Sequence, residues 1–515
     1  MRSLPPRHSR FLRSAAGAVF LLLALLPPAR AVEIRDVLGV SHAGGRYNFT
    51  DEDYLNEGAG QILDLGSRVI KVFVDPSQMD VLYRFNSDWL PLTTDVVEVV
   101  QRPYFQELFA KPFSTIILVI PNAPLVQFTD GLTPEEAAAE RDQMYRLAKY
   151  LLTTYADSGK TFILQNWEGD HLLNAGLAAG TPPDETRTRG MVDWWNARQE
   201  GVQAARLELR PRNVDVAHGC EVNFLEASLR GEVTATNSVV PYTQCDLYSY
   251  SSWDIGFDAG ELIRALDLLE SKAPASRRFG RRNIYLGEYG KPKVPGITDL
   301  ARFDTIRDLM EAALGWGVRY AVYWQVYCNE LTAEIGSSRP KSSQMRGFWL
   351  VRPDGRHAPM WNIMAAQESA SIHHGTFSGY ANQYLAVLPD DRRVAAEPWL
   401  RGDPWSDFTV KDWNGSDLES GDAVTLQAHD GLYLTIEAGI GGKVYARAST
   451  AGRSERFILH KVNGSGPIHS GDSIVFETRE HLYLAPEVGG HGLLRALRSV
   501  PGPTETFRFI EQDDE

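Results

Sequence analysis

From residue 34 to about 370 the chain alternates eight apolar runs of strand length with helix-like segments, and this alternation limits the fold more than any other feature. The strand-like runs are Val37–Ser41, Val69–Val74, Thr115–Ile120, Thr161–Asn166, Val214–Cys220, Leu247–Tyr250, Ile284–Gly287 and Tyr320–Gln325. They are mostly continuous in apolar character, as parallel strands buried on both faces must be. Thr133-Pro-Glu-Glu136 reads as a capping box with proline at the first helical position. It opens a helix over Ala137–Tyr155 in which Met144, Leu147, Ala148, Leu151 and Leu152 share a face. Met191–Leu209, Ala259–Ser271 and Ala301–Leu314 are similar. Eight strand-helix units predict an α/β fold, a TIM-type (β/α)8 barrel over residues 32–372. An open doubly wound sheet is the alternative, but no Gly-x-Gly-x-x-Gly turn follows the first strand.

Residues 373–515 change character. Tyr384-Leu385, Tyr433-Leu434 and Tyr483-Leu484 recur with a period of 49 or 50. Val394, Val444 and Leu494, then Ala396, Ala446 and Ala496, then Phe408, Phe457 and Phe507 keep the same period, and Gly421-Asp422 matches Gly471-Asp472. Short strands with Gly or Asp turns and no helical periodicity predict an all-β domain, three four-strand units closing into a β-trefoil. Over residues 375–512 the pattern resembles the fascin-like trefoil. The Gln-x-Trp motif of ricin-type trefoils is absent, so no sugar pocket is assigned there.

The N-terminus reads as a secretory signal over residues 1–31: Arg2, Arg7, Arg10 and Arg13, an apolar stretch from Ala15 to Leu26, then Pro27, Pro28 and Ala29-Arg-Ala31. An uncleaved anchor is the alternative. The expectation is a secreted protein, extracellular or periplasmic, without stable membrane insertion once the signal is removed. A net charge of −14 argues against nucleic acid and anionic membranes as partners. Three cysteines make no disulfide framework. One bridge between Cys220 and Cys245 is conceivable, and buried free thiols are the expectation.

Two of the apolar runs lead into a glutamate: Thr161-Phe-Ile-Leu-Gln-Asn-Trp-Glu168 and Asn283-Ile-Tyr-Leu-Gly-Glu288. In a parallel barrel the C-terminal strand ends carry the chemistry. Two carboxylates on one rim are the minimal equipment for cleaving a glycosidic bond. The plainer alternative is that each glutamate caps a loop. With Glu168 after the fourth strand, Glu288 after the seventh and Tyr323-Trp324-Gln325 on the eighth, the barrel resembles the retaining glycoside hydrolases of clan A. The resemblance implies Glu168 as acid/base, Glu288 as nucleophile and Trp324 at the sugar floor. The clan places Asn directly before its acid/base, whereas here Trp167 separates Asn166 from Glu168.

Further rim candidates for binding substrate are His42, Lys71, Asn166, Trp167, Asp170, His171, His218, Glu221, Tyr250, Trp253, Trp324 and Glu330. A buried Lys71 needs a partner, which an acidic rim would supply. Glu221 rivals Glu168 for the acid/base role. Tyr250, or Tyr248, is the candidate donor to the nucleophile. Gly287 and Gly290 would allow substrate to approach Glu288 closely. His42 is as readily a structural hydrogen bonder as a sugar ligand. Trp167, Trp253, Trp324 and Trp349 are stacking candidates, with core packing the alternative for each; Trp194-Trp195 reads as core. No metal or cofactor is expected, since His373-His374 is an isolated pair and no helical His-x-x-x-His pair is present. A Ser nucleophile is unsupported as well, because no Gly-x-Ser-x-Gly elbow is present. The reading is a glycosidase acting on a β-linked poly- or oligosaccharide, with a non-catalytic glycan-binding or scaffolding protein as the alternative.

Overall fold

The computed structural model describes residues 32–512, apart from 334–338, 368, 380–382, 398–402, 414, 416, 453 and 489–490. The signal-like segment lies outside the described residues, as does part of the loop between residues 329 and 347. No described helix is long and apolar enough to cross a membrane.

Eight parallel strands close into a barrel. They are β1 (Leu38–His42), β2 (Val69–Phe73), β3 (Thr115–Val119), β4 (Thr161–Gln165), β5 (Asp215–Val222), β6 (Leu247–Ser251), β7 (Ile284–Tyr289) and β8 (Ala321–Tyr323). The main crossover helices are α1 (Tyr54–Leu65), α2 (Pro103–Ala110), α3 (Pro134–Thr154), α4 (Glu185–Leu209), α5 (Ala259–Lys272) and α6 (Asp299–Trp316), and α7 (Pro359–Ala365) follows β8. The capping box at Thr133 forms as the sequence predicts. Closure of β8 onto β1 excludes the open sheet.

Strand parity sorts the barrel residues. Successive side chains point to opposite faces, so each strand sends alternate residues inward. Val69, Ile117, Ile163, Ala217, Leu247, Tyr285 and Val322 pack together as an inner apolar layer. Two residues further along their strands, at the C-terminal rim, the inward positions turn polar: Lys71, Gln165 and Ser249. The outward residues of the same strands pack beneath the helices in the main core.

The C-terminal strands are β9 (Ser371–Ser378), β10 (Tyr384–Val387), β11 (Val394–Glu397), β12 (Phe408–Asp412), β13 (Ala423–Gln427), β14 (Tyr433–Ile436), β15 (Val444–Ala448), β16 (Arg456–Lys461), β17 (Ser473–Glu477), β18 (Tyr483–Val488), β19 (His491–Arg498) and β20 (Phe507–Glu511). All pair antiparallel. β9, β12, β13, β16, β17 and β20 hydrogen-bond in a closed ring. The three remaining pairs, β10–β11, β14–β15 and β18–β19, are hairpins attached to it. The repeat positions Leu385, Leu434, Leu484, Phe408, Phe457 and Phe507 fill this domain's core. The repeat tyrosines lie outside that core; Tyr433 instead donates to Glu311 of α6 at 2.6 Å. Gln427 also reaches Glu311, and the buried Lys411 ammonium lies 3.6 Å from it, so a hydrogen-bonded cluster ties the β-rich domain to α6.

Candidate active site

The fourth strand delivers its glutamate through a tight turn. Asn166 stays buried and ties β4 to β5: its Oδ1 accepts the Glu221 N–H at 3.0 Å and its amide donates to the Glu221 carbonyl at 3.3 Å. Trp167 then turns outward and is 46% exposed. Glu168 follows with φ 25° and ψ 77°, a sparsely populated conformation for a residue with a side chain. Gly169 starts the short helix Gly169–Leu173, where a Cβ would lie 2.5 Å from the Glu221 carbonyl and 2.8 Å from Trp195. Two neighbours hold the turn. The Glu168 N–H donates to Glu221 Oε2 at 2.7 Å. Asp170 accepts backbone N–H groups from Asn223, Phe224 and Ala235 at 2.7–3.2 Å.

The seventh strand delivers Glu288 through a bulge. Tyr250 pairs with Leu286 but Ser251 pairs with Glu288, so Gly287 is the extra residue. Without it, Glu288 would share the outward parity of Ile284 and Leu286. A Cβ on Gly287 would stand 1.9 Å from Ser249 Oγ and 3.0 Å from Glu221 Oε1. The glycine therefore leaves the room that the packing of Ser249 and Glu221 beneath the site requires.

Lys71, fully buried on β2, joins the end of β7 to Glu221 on β5. Its ammonium donates to Glu288 Oε1 at 2.8 Å, to Glu221 Oε1 at 2.9 Å and to the Gly287 carbonyl at 3.3 Å. All three of its donors are used. The other oxygen of Glu288 accepts the Trp253 indole N–H at 3.0 Å.

These contacts set the two rim glutamates apart. Glu168 has its pKa raised to about 8, first by burial and then by the charges of Glu288 and Glu221. The His171 Nε2 lies 3.6 Å from its carboxylate. Glu288 is also pushed above the usual glutamate range by burial, but the Lys71 ammonium and the Trp253 N–H pull the other way. Burial works against the Lys71 charge, yet Glu221 and Glu288 outweigh it and raise its pKa.

Glu168 and Glu288 open into one cleft of about 420 Å³, together with Trp167, His171, Trp253, Trp324 and Glu330 from the sequence-derived candidates. Phe257, Pro292, Phe348 and Arg346 complete its wall, and Arg346 pairs with Glu330 at 2.7 Å. Trp167 also lines a second cleft of about 420 Å³, with Phe73, Asp75, Gln78, Asn122 and Asn166 among others.

Other sequence candidates lie elsewhere. Tyr250 has the outward parity of β6, and its hydroxyl donates to Asp254 at 2.6 Å, not to Glu288. Tyr248 is likewise outward and pairs with Thr243; the donor to Glu288 is Trp253. His218 is outward on β5 and fully buried, with burial driving its pKa well below the ordinary value. His42 is outward on β1, bonds the Tyr54 carbonyl at 2.6 Å and is held neutral by burial, with a pKa lowered to about 4. Asp170, Asn166 and Glu221 are buried and hydrogen-bonded to protein partners, and Asn166 also lines the second cleft. Trp349, like Trp194 and Trp195, is buried.

Cys220 and Cys245 form a disulfide, contrary to the expectation of free thiols: the segment entering β6 brings their Cα atoms to 6.4 Å, within bridging range. Cys328 is free and buried. Gln165 and Ser251, absent from the sequence candidates, both donate to Glu221 Oε1 at 2.7 Å. A polar residue ending the apolar run of β4, and serines alternating along β6, were their signals. Phe348 and Arg346 come from an irregular loop and had none.

No protein-family profile and no curated protein sequence matches the chain. Among solved structures, partial likeness extends to the SDF2-like protein from Arabidopsis thaliana, at 10% identity and TM-score 0.24 over 27% of this chain and 92% of that one. It extends also to a GlcNAcα1-4Gal-releasing endo-β-galactosidase from Clostridium perfringens, at 16% identity and TM-score 0.22 over 27% of this chain and 33% of that one. The chain thus spans only a third of that enzyme's length, and likenesses of this size carry no argument about activity.

Proposed function

We propose that the protein is a glycoside hydrolase of the clan A type, cleaving a β-linked glycan with retention. One observation carries this reading: Glu168 and Glu288 share a tryptophan-walled cleft at the barrel's C-terminal rim, and only Glu288 has a direct lysine partner. A carboxyl titrating near 8 keeps its proton at neutral pH and suits the acid. A carboxylate held by Lys71 and Trp253 suits the nucleophile.

In this mechanism a Glu288 oxygen attacks the anomeric carbon while the Glu168 proton passes to the departing glycosidic oxygen. The C–O bond breaks and a glycosyl ester forms on Glu288. Glu168, now ionised, takes a proton from water, whose oxygen attacks the same carbon and releases Glu288. Trp167, Trp253 and Trp324 offer ring faces to the apolar C–H faces of the sugar.

The ring of six strands with three attached hairpins supports reading the C-terminal domain as a β-trefoil, an accessory to the barrel. Secretion is part of the proposal: the signal-like N-terminus and a disulfide both suit an oxidising compartment. The test is sugar release from β-glucans, mannans, xylans and aryl β-glycosides by the wild type beside Glu288→Gln. Release by the wild type alone supports the reading. Binding of a glycan from this panel without release by the wild type refutes it in favour of a glycan-binding protein.

A further inference from the structure

Glu221 is buried on β5 beneath both rim glutamates and takes no part in the steps above. A carboxylate only accepts hydrogen bonds, through about four lone-pair sites. Oε1 receives Lys71 at 2.9 Å, Gln165 at 2.7 Å, Ser251 at 2.7 Å and, more weakly, Ser249 at 3.4 Å. Oε2 receives the Glu168 N–H at 2.7 Å. Gln165 is itself aimed by the Tyr285 hydroxyl. We infer that Glu221 is the positioning carboxylate of the site: one oxygen fixes the strained backbone of Glu168, and the other fixes Lys71 against Glu288. The roles it serves rest on the function proposed above, but the geometry does not.

Glutamine cannot replace it. One side-chain atom would become an NH2 group facing a donor, either the Glu168 N–H or the Lys71–Gln165–Ser251 set. Loss of the charge also acts on both rim groups. Glu168 is faced by Asp170 and His171 from its own short helix, Glu221 from β5, Glu288 from β7 and Lys71 from β2. Glu288 is faced by Lys71, Glu221 and Glu168. Removing the Glu221 anion leaves Lys71 less compensated and lowers both glutamate pKa values. A merely structural defect would lower the rate at every pH without moving either midpoint.

The test compares wild type, Glu221→Gln and Glu221→Asp. The Glu168 carboxyl is titrated by ¹³C NMR on glutamate-labelled protein and assigned with Glu168→Gln, so that no substrate is needed. In Glu221→Gln the Glu168 midpoint should fall by on the order of one pH unit. On whichever substrate the wild type turns over, kcat should fall about 10²-fold, and both limbs of the pH profile should move to lower pH. Glu221→Asp keeps the charge on a shorter stem. Its Glu168 midpoint should stay high while kcat falls, and it decides the matter if Glu221→Gln does not fold. An unchanged Glu168 midpoint in Glu221→Gln, or wild-type kcat in Glu221→Asp, overturns the inference. A wild type that cleaves nothing overturns the proposed function, and the titration still decides the role of Glu221.

Discussion

Replacing Lys71 by methionine should destabilise the protein in a pH-dependent way. The ammonium lies 2.8 and 2.9 Å from two buried carboxylates. At an effective dielectric of about 20 each contact is worth roughly 6 kcal/mol before desolvation is subtracted. Removing one partner of a buried ionic group costs about 3–5 kcal/mol net, because the charge left behind is uncompensated. At about 2.1 cal/mol/K of unfolding entropy per residue, that corresponds in a chain of this length to a fall in Tm of roughly 3–5 °C. Without Lys71 one of Glu221 and Glu288 must hold a proton. Its folded pKa then lies above the unfolded value near 4.5, from which Glu288 is already raised. Such a group adds stability below the unfolded pKa, and that stability is lost as pH rises through the folded pKa. The gap in Tm between wild type and Lys71→Met should therefore be small at pH 5 and widen toward pH 8. Thermal melts by circular dichroism at both values provide the check. A gap that is absent, or equal at the two pH values, would refute the ionic account of the Lys71 cluster.

Activity should decline as pH rises through about 8, where Glu168 loses its proton; a pH–rate profile that stays flat past 9 contradicts its role as acid. The same raised pKa means that ionised Glu168 costs stability at high pH, so Glu168→Gln should melt above the wild type at pH 9 and show no such gain at pH 5. Reduction of Cys220–Cys245, which closes a loop with a separation of 25 residues, should cost roughly 3 kcal/mol, read as a lower denaturant midpoint for the Cys220→Ala/Cys245→Ala variant.

The barrel was legible because strands buried on both faces read as unbroken apolar runs, and eight of them at strand-helix spacing leave few alternatives. The C-terminal repeat was legible because its Leu and Phe positions form a core three times over. Lys71 was legible as a charge inside an apolar strand that had to find carboxylates, and those proved to be Glu221 and Glu288. Parity was harder to read. Continuous apolar runs hide which residues point inward, so His42, His218 and Tyr250 were placed on the rim although all three face the helices. The Gly287 bulge, which turns Glu288 inward, depends on pairing between β6 and β7 and leaves no local signature. Glu221 reads in the sequence as a rival acid, and its burial under five donors is a property of packing alone.

The most direct test of the central claim is covalent trapping of the nucleophile. The protein would be incubated with a panel of 2-deoxy-2-fluoro aryl β-glycosides of the gluco, manno, xylo and galacto series, digested, and searched by mass spectrometry for a glycosylated peptide. The account predicts one fluoroglycosyl ester, on Glu288, formed in the wild type and absent in Glu288→Gln. An ester on Glu168 or Glu221, or cleavage of the parent glycoside with inversion at the anomeric carbon, would contradict it.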